Sequence, residues 1–99
     1  MFAIEYVQSV AEDVSKLRAV DRKRVFDRIE QQLRRESTKP TRNRKMLIGL
    51  VPPCEHEGST WELRVGEYRV FYEVEEDNKI VTVRAIRHKP PHKSLEDVI

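Results

Sequence analysis

The chain has a single cysteine, Cys54, among its 99 residues, so no intramolecular disulfide can form. A domain without that staple must hold itself together by an apolar core, and it suits a reducing compartment. Long hydrophobic runs are also missing: nowhere do about eighteen apolar residues follow one another, as a membrane span needs. Met1-Phe2-Ala3-Ile4-Glu5 has neither a basic start nor an apolar stretch, so no signal peptide is expected. A cytoplasmic location, away from the membrane, is the resulting expectation. Charge of one sign is scarce too, because 19 Lys+Arg oppose 17 Asp+Glu and leave only +2. Any case for a nucleic-acid partner must therefore rest on where the charges lie. Glycine occurs three times and forms no phosphate-cradling loop, and no serine nucleophile elbow is present. No cofactor is implied.

What is present is enough for one core: hydrophobic residues make up 38% of the chain, which fits a single domain spanning 1–99. Phe2, Ile4 and Tyr6 alternate with Ala3, Glu5 and Val7, the period of a strand. Ser9-Val10-Ala11-Glu12 reads as a capping box opening a short helix with Val10, Val14 and Leu17 on one stripe. Asp21 is placed to cap a second helix, with Val20 and Val25 forming a hydrophobic staple. Its apolar stripe is Val25, Phe26, Ile29 and Leu33, and the helix should end near Arg35.

From Trp61 onward the period changes to two. Trp61, Leu63 and Val65 form one strand, a turn follows at Gly66-Glu67, and Tyr68, Val70, Tyr72 and Val74 form the next. Glu76-Asp77-Asn78-Lys79 signals a second turn, and Ile80 to Ile86 completes a three-stranded antiparallel meander. The expected fold is α+β in two layers: an N-terminal strand, a two-helix hairpin, then the meander. The helices should cover one face of the sheet and leave the other open.

Parity makes a sharper statement about that open face. If Leu63, Tyr68, Val70 and Tyr72 face the helices, Arg64 and Arg69 face away, joined by Arg84. Guanidinium groups are always charged and match phosphate oxygens. The plain alternative is that these arginines pair across the strands with Glu62, Glu73 and Glu75 as a solvated ladder. Basic flanks at Arg34 to Lys45, with Arg42, Arg44 and Lys45, and at Arg84 to Lys93, with Lys89, supply phosphate-neutralising charge. Phe71 shares the parity of Arg69 and offers a face for an unstacked base. His56, His88 and His92 are the histidines available for proton transfer. His88-Lys89-Pro90-Pro91-His92 cannot form the helix that would align two rings on a metal, and Cys54-Glu55-His56-Glu57 has no second ligand cluster, so no metal is expected.

The order strand, two helices, basic connector and antiparallel strands resembles the RelE/ParE superfamily of toxins. The likeness is carried by Thr41-Arg42-Asn43-Arg44-Lys45-Met46-Leu47 and above all by Trp61-Glu62-Leu63-Arg64-Val65-Gly66-Glu67-Tyr68-Arg69-Val70-Phe71-Tyr72-Glu73-Val74. The resemblance implies a toxin held inactive in a hetero-oligomer by a cognate antitoxin. In RelE-like members it implies an endoribonuclease that cuts mRNA on the ribosome and so inhibits translation. Arg69 matches the family's Gly-x-Tyr-Arg arginine and would stabilise charge on the cleaved phosphate, helped by Arg64, with His88 or His92 moving protons. Arg42, Arg44, Lys45, Phe71, Arg84 and Lys89 would hold the RNA. Departures fall on the chemistry: Glu62 stands where relatives often carry a basic residue, and no tyrosine follows Tyr72. A ParE-like inhibitor of DNA gyrase, or a non-catalytic binding module of the same fold, is the alternative.

Overall fold

The computed structural model describes residues 1–36, 38–47 and 60–89. In chain order the elements are β1 (Ala3–Tyr6), α1 (Ser9–Ser15), α2 (Ala19–Glu36), β2 (Arg44–Met46), β3 (Trp61–Val65), β4 (Tyr68–Glu75) and β5 (Ile80–His88). The strands form one sheet ordered β1-β5-β4-β3-β2. The α+β architecture and the β3-β4-β5 meander are those read from the sequence. β1 lies at the sheet edge beside β5 and runs parallel to it, with Ile4 opposite Val81 and Tyr6 opposite Val83. A parallel pair needs a crossover. α1 and α2 lie within that crossover and cover one face of the sheet.

The main core lies between those helices and that face. Val25, Ile29 and Leu33 of α2 are fully or almost fully buried, as are Leu63, Val70, Tyr72, Val81 and Val83 of the sheet. Phe26 is half-buried, packs against the same cluster, and meets Tyr6 edge to face at 5.5 Å. Trp61 and Tyr72 stack with ring centroids 6.3 Å apart. Burying each of these side chains stabilises the fold by about 1.5–3 kcal/mol. Burial pushes the pKa of Tyr72 far above its ordinary value, so its hydroxyl stays neutral.

Both helix starts differ from expectation. α1 begins at Ser9 itself, its N-cap is Gln8 in helical geometry, and no side chain caps it. The free amides there are met by a preceding turn: Val10 N–H donates to Val7 and Ala11 N–H to Gln8, both at 3.1 Å. Backbone carbonyls leave the Ser9 hydroxyl nothing to do as a cap. α2 starts two residues before Asp21, with Arg22 N–H donating to the Arg18 carbonyl at 2.9 Å. Asp21 therefore sits in the first turn, and Val20 is 68% exposed, so no hydrophobic staple forms.

The sheet holds three further features that alternation alone does not show. Arg44–Met46, part of the basic connector in the sequence, is a short strand pairing Arg44 with Leu63 and Met46 with Trp61. The register between β4 and β5 shifts at Phe71/Tyr72, where Phe71 faces Ala85 but Tyr72 faces Val83. This bulge inserts Arg84 as an extra residue and re-aims the strand. The face away from the helices is also not open throughout: Phe71 and Ala85 are buried there with Leu47 packed against them.

Candidate functional site

Two groups of chemically capable residues result, on opposite faces of the sheet. On the face away from the helices, β3 and β4 place Arg64 opposite Arg69 and Glu62 opposite Phe71. Parity puts these residues on that face because Leu63 opposite Val70 fills the core. Arg69 is only 6% exposed and Glu62 only 3%. Their side chains form an ion pair, Arg69 Nε to Glu62 Oε1 at 3.4 Å. Arg69 Nη1 donates to the carbonyls of Gly66 and Tyr68, each at 2.9 Å. Burial, then repulsion from Arg64, lowers the pKa of Arg69 from its ordinary value, and Glu62 opposes the shift. Arg84 pairs with Glu73 at 2.5 Å. Arg69 and Arg84 thus occupy the cross-strand glutamate ladder, whereas Arg64 is exposed and repels Arg69.

The second group lies at the helix side, near the β3–β4 turn. Tyr68 stands opposite His88 with ring centroids 5.2 Å apart. His88 Nε2 lies 3.2 Å from Glu67 Oε2. Tyr68 O–H donates to Asp21 Oδ2 at 3.1 Å, and Arg18 Nε reaches the same oxygen at 3.3 Å. Burial alone would raise the Asp21 pKa, but the bonds from Tyr68 and Arg18 outweigh it and hold the carboxyl below its ordinary value. The Tyr68 hydroxyl is shifted upward by burial and by that bond. These residues surround a recess of about 460 Å³ with Arg24 and Gly66.

The residues singled out from the sequence are therefore divided rather than gathered. Arg64 and Arg69 share one face, and His88 points to the other beside Tyr68. Phe71 is on the face of Arg69 but fully buried, so no base can stack on it in this arrangement. Arg44, expected at the RNA surface, faces the helices: it is 3% exposed and Nη1 donates to the Gln32 carbonyl at 2.8 Å. The reason is register, since Arg44 sits opposite core-facing Leu63. Lys45, opposite Glu62, and Arg42 are exposed, and Lys89 is half-buried with its N–H donating to the Glu67 carbonyl at 2.6 Å. His92, like Cys54 and His56, lies outside the described residues.

Several participants were missed. Asp13 of α1 accepts the Ile86 N–H at 3.0 Å and pairs with Arg87 Nη1 at 2.6 Å. It thereby covers the β5 edge beyond the end of β1. Sequence offers no signal for a contact across 73 positions. Arg24 and Arg28 carry a signal that was legible, one helical turn apart on α2, and they line a recess with Asn43, Arg64, Val65 and Gly66.

This two-helix, five-stranded architecture is that of the RelE-type toxins. Among solved structures, the RelE–RelB complex of Pyrococcus horikoshii OT3 matches with a TM-score of 0.68 and 19% identity, over 94% of this chain and 98% of that one. The RelBE2 toxin–antitoxin complex of Mycobacterium tuberculosis matches with a TM-score of 0.69 and 22% identity, over 89% and 98%. The isolated RelE toxin of E. coli matches with a TM-score of 0.61 and 19% identity, over 96% and 89%. The chain belongs to the family of ParE toxins of type II toxin–antitoxin systems, whose pattern matches residues 4–89. It is a type II toxin of the RelE/ParE superfamily. No curated protein matches it. Among the described residues no helix is long and apolar enough to cross a membrane.

Proposed function

We propose that this toxin acts by binding its target, as a gyrase inhibitor does, rather than by cutting mRNA, and that a cognate antitoxin holds it inactive. The observation that carries the reading is the state of Arg69. A ribonuclease of this kind needs a guanidinium free to receive charge developing on a phosphate. Here that guanidinium is buried against Glu62 and two carbonyls, and His88 projects from the opposite face. Among the described residues, charge stabilisation by Arg69 and proton transfer by His88 would thus act from opposite sides of the sheet, which disfavours their meeting at one phosphorus. Membership of the ParE toxin family agrees with a non-nucleolytic target. The antitoxin follows from the same membership, and the similar RelE proteins were solved in complex with RelB-type partners.

Induced expression separates the two activities. Primer extension on cellular mRNA should show intact messages during growth arrest, while purified toxin should inhibit supercoiling by gyrase. Codon-dependent mRNA cleavage with unimpaired gyrase would overturn the proposal and return Arg64, Arg69 and His88 to a catalytic role.

A further inference from the structure

Most arginines of the described chain are engaged. Arg18 pairs with Asp21, Arg34 with Glu30, Arg69 with Glu62, Arg84 with Glu73 and Arg87 with Asp13. Arg22 and Arg44 donate to backbone carbonyls. Arg24, Arg28 and Arg64 form no side-chain hydrogen bond or ion pair among the described residues, and they line one recess together with Asn43, Val65 and Gly66. The lining contains no carboxylate. Of the acids nearest in sequence, Asp27 is paired with Lys23, and Asp21, bonded to Arg18 and Tyr68, attracts Arg24 only from the neighbouring recess.

Arg24 and Arg28 are like charges one helical turn apart, an arrangement that opposes the helix unless a counter-charge is present. Gly66, at φ +58°, presents no side chain, and the Arg24 guanidinium lies where its Cβ would be, 1.7 Å from that position. The turn thus seats Arg24 in the recess. Arg64 enters from β3, beyond the last rung of the β2 pairing. The recess holds about 300 Å³, ample for an oxyanion when one water occupies about 30 Å³.

We propose that this recess, lined by Arg24, Arg28 and Arg64 beside Gly66, binds a backbone phosphate of a nucleic acid. A planar carboxylate is satisfied by one guanidinium fork, whereas a tetrahedral phosphate presents oxygens to donors arriving from several elements. Exposed Arg42 and Lys45 lie next along the chain to Asn43 and Arg44, extending the charge as a polyanion with repeating phosphates would use it. Arg64 stands opposite Arg69 across β3 and β4, but Arg24 and Arg28 of α2 build the rest of the recess, and its binding can be measured whether or not the toxin cleaves RNA.

The test uses the isolated full-length toxin and fluorescence anisotropy with short RNA, duplex DNA and poly-glutamate probes across a salt series. Arg24→Gln/Arg28→Gln/Arg64→Gln should weaken nucleic-acid binding about tenfold or more and lower the salt slope by at least about 0.7, the contribution of one single-strand phosphate. Arg24→Glu alone should weaken it as well, and Lys79→Gln, in the exposed turn between β4 and β5 away from the recess, should behave as the parent. The RNA and DNA arms identify which backbone is preferred, either of which supports the site. Unchanged affinity and slope in the triple variant would overturn it. So would a loss confined to poly-glutamate, which would assign the recess to an acidic polypeptide.

Discussion

Arg69 and Glu62 sit diagonally across β4 and β3, Nε to Oε1 at 3.4 Å, both side chains less than a tenth exposed. Arg69 Nε and Glu62 Oε2 make no hydrogen bond, so the pair is enclosed without being fully satisfied. Breaking such a pair leaves one charge buried alone, at a cost of about 3–5 kcal/mol. Glu62→Ala and Arg69→Ala should each lower stability by that order in urea unfolding. A change within experimental error in both would mean that the pair is solvated.

Asp21 and Tyr68 supply a pH test. Because Asp21 is held below its ordinary value of 3.8, its ionised form stabilises the fold. That contribution is present above the unfolded carboxyl's pKa and is lost as pH falls through the lower folded value. Asp21→Asn should therefore be less stable than the parent at neutral pH, with the difference closing in acid. A gap that stays constant across the acid limb would contradict the assignment.

Ile29 is fully buried between α2 and the sheet. Ile29→Ala should destabilise by about 2–5 kcal/mol, the range for truncating a buried aliphatic side chain to alanine. An unchanged thermal transition would show that α2 presents a different face.

Asp13 anchors α1 to the β5 edge through the Ile86 amide and Arg87. Asp13→Ala should expose that amide, raising its hydrogen-exchange rate more than that of Val83, which lies within the paired part of the strand. Equal protection before and after substitution would remove Asp13 from this role.

Alternation made the opposite orientations of Val70 and Arg69 legible, and helical spacing identified Ile29 and Leu33. A period, however, reports which side a residue faces and not what lies against it. Glu62 was visible as one possible rung for Arg69, but the burial that makes the pair structural comes from tertiary packing. Arg44 was hidden for another reason: three residues of strand are too short to show a period, so its inward orientation could not be read. The bulge at Phe71/Tyr72 had no glycine to mark it. At Ser9 the side-chain pattern was suitable, but carbonyls of the preceding turn had already met the amides.

Arg69 acts either on a phosphate or only within the sheet. Replacing the pair together, as Glu62→Leu/Arg69→Met, removes both charges and should keep the fold, because an apolar pair of similar volume can substitute for a buried ion pair. Growth arrest on induced expression of this folded double variant is the decisive measurement. Arrest equal to the parent, with intact mRNA in both, is the predicted result. Lost arrest in a variant that melts like the parent, together with mRNA cleavage by the parent alone, would contradict the account.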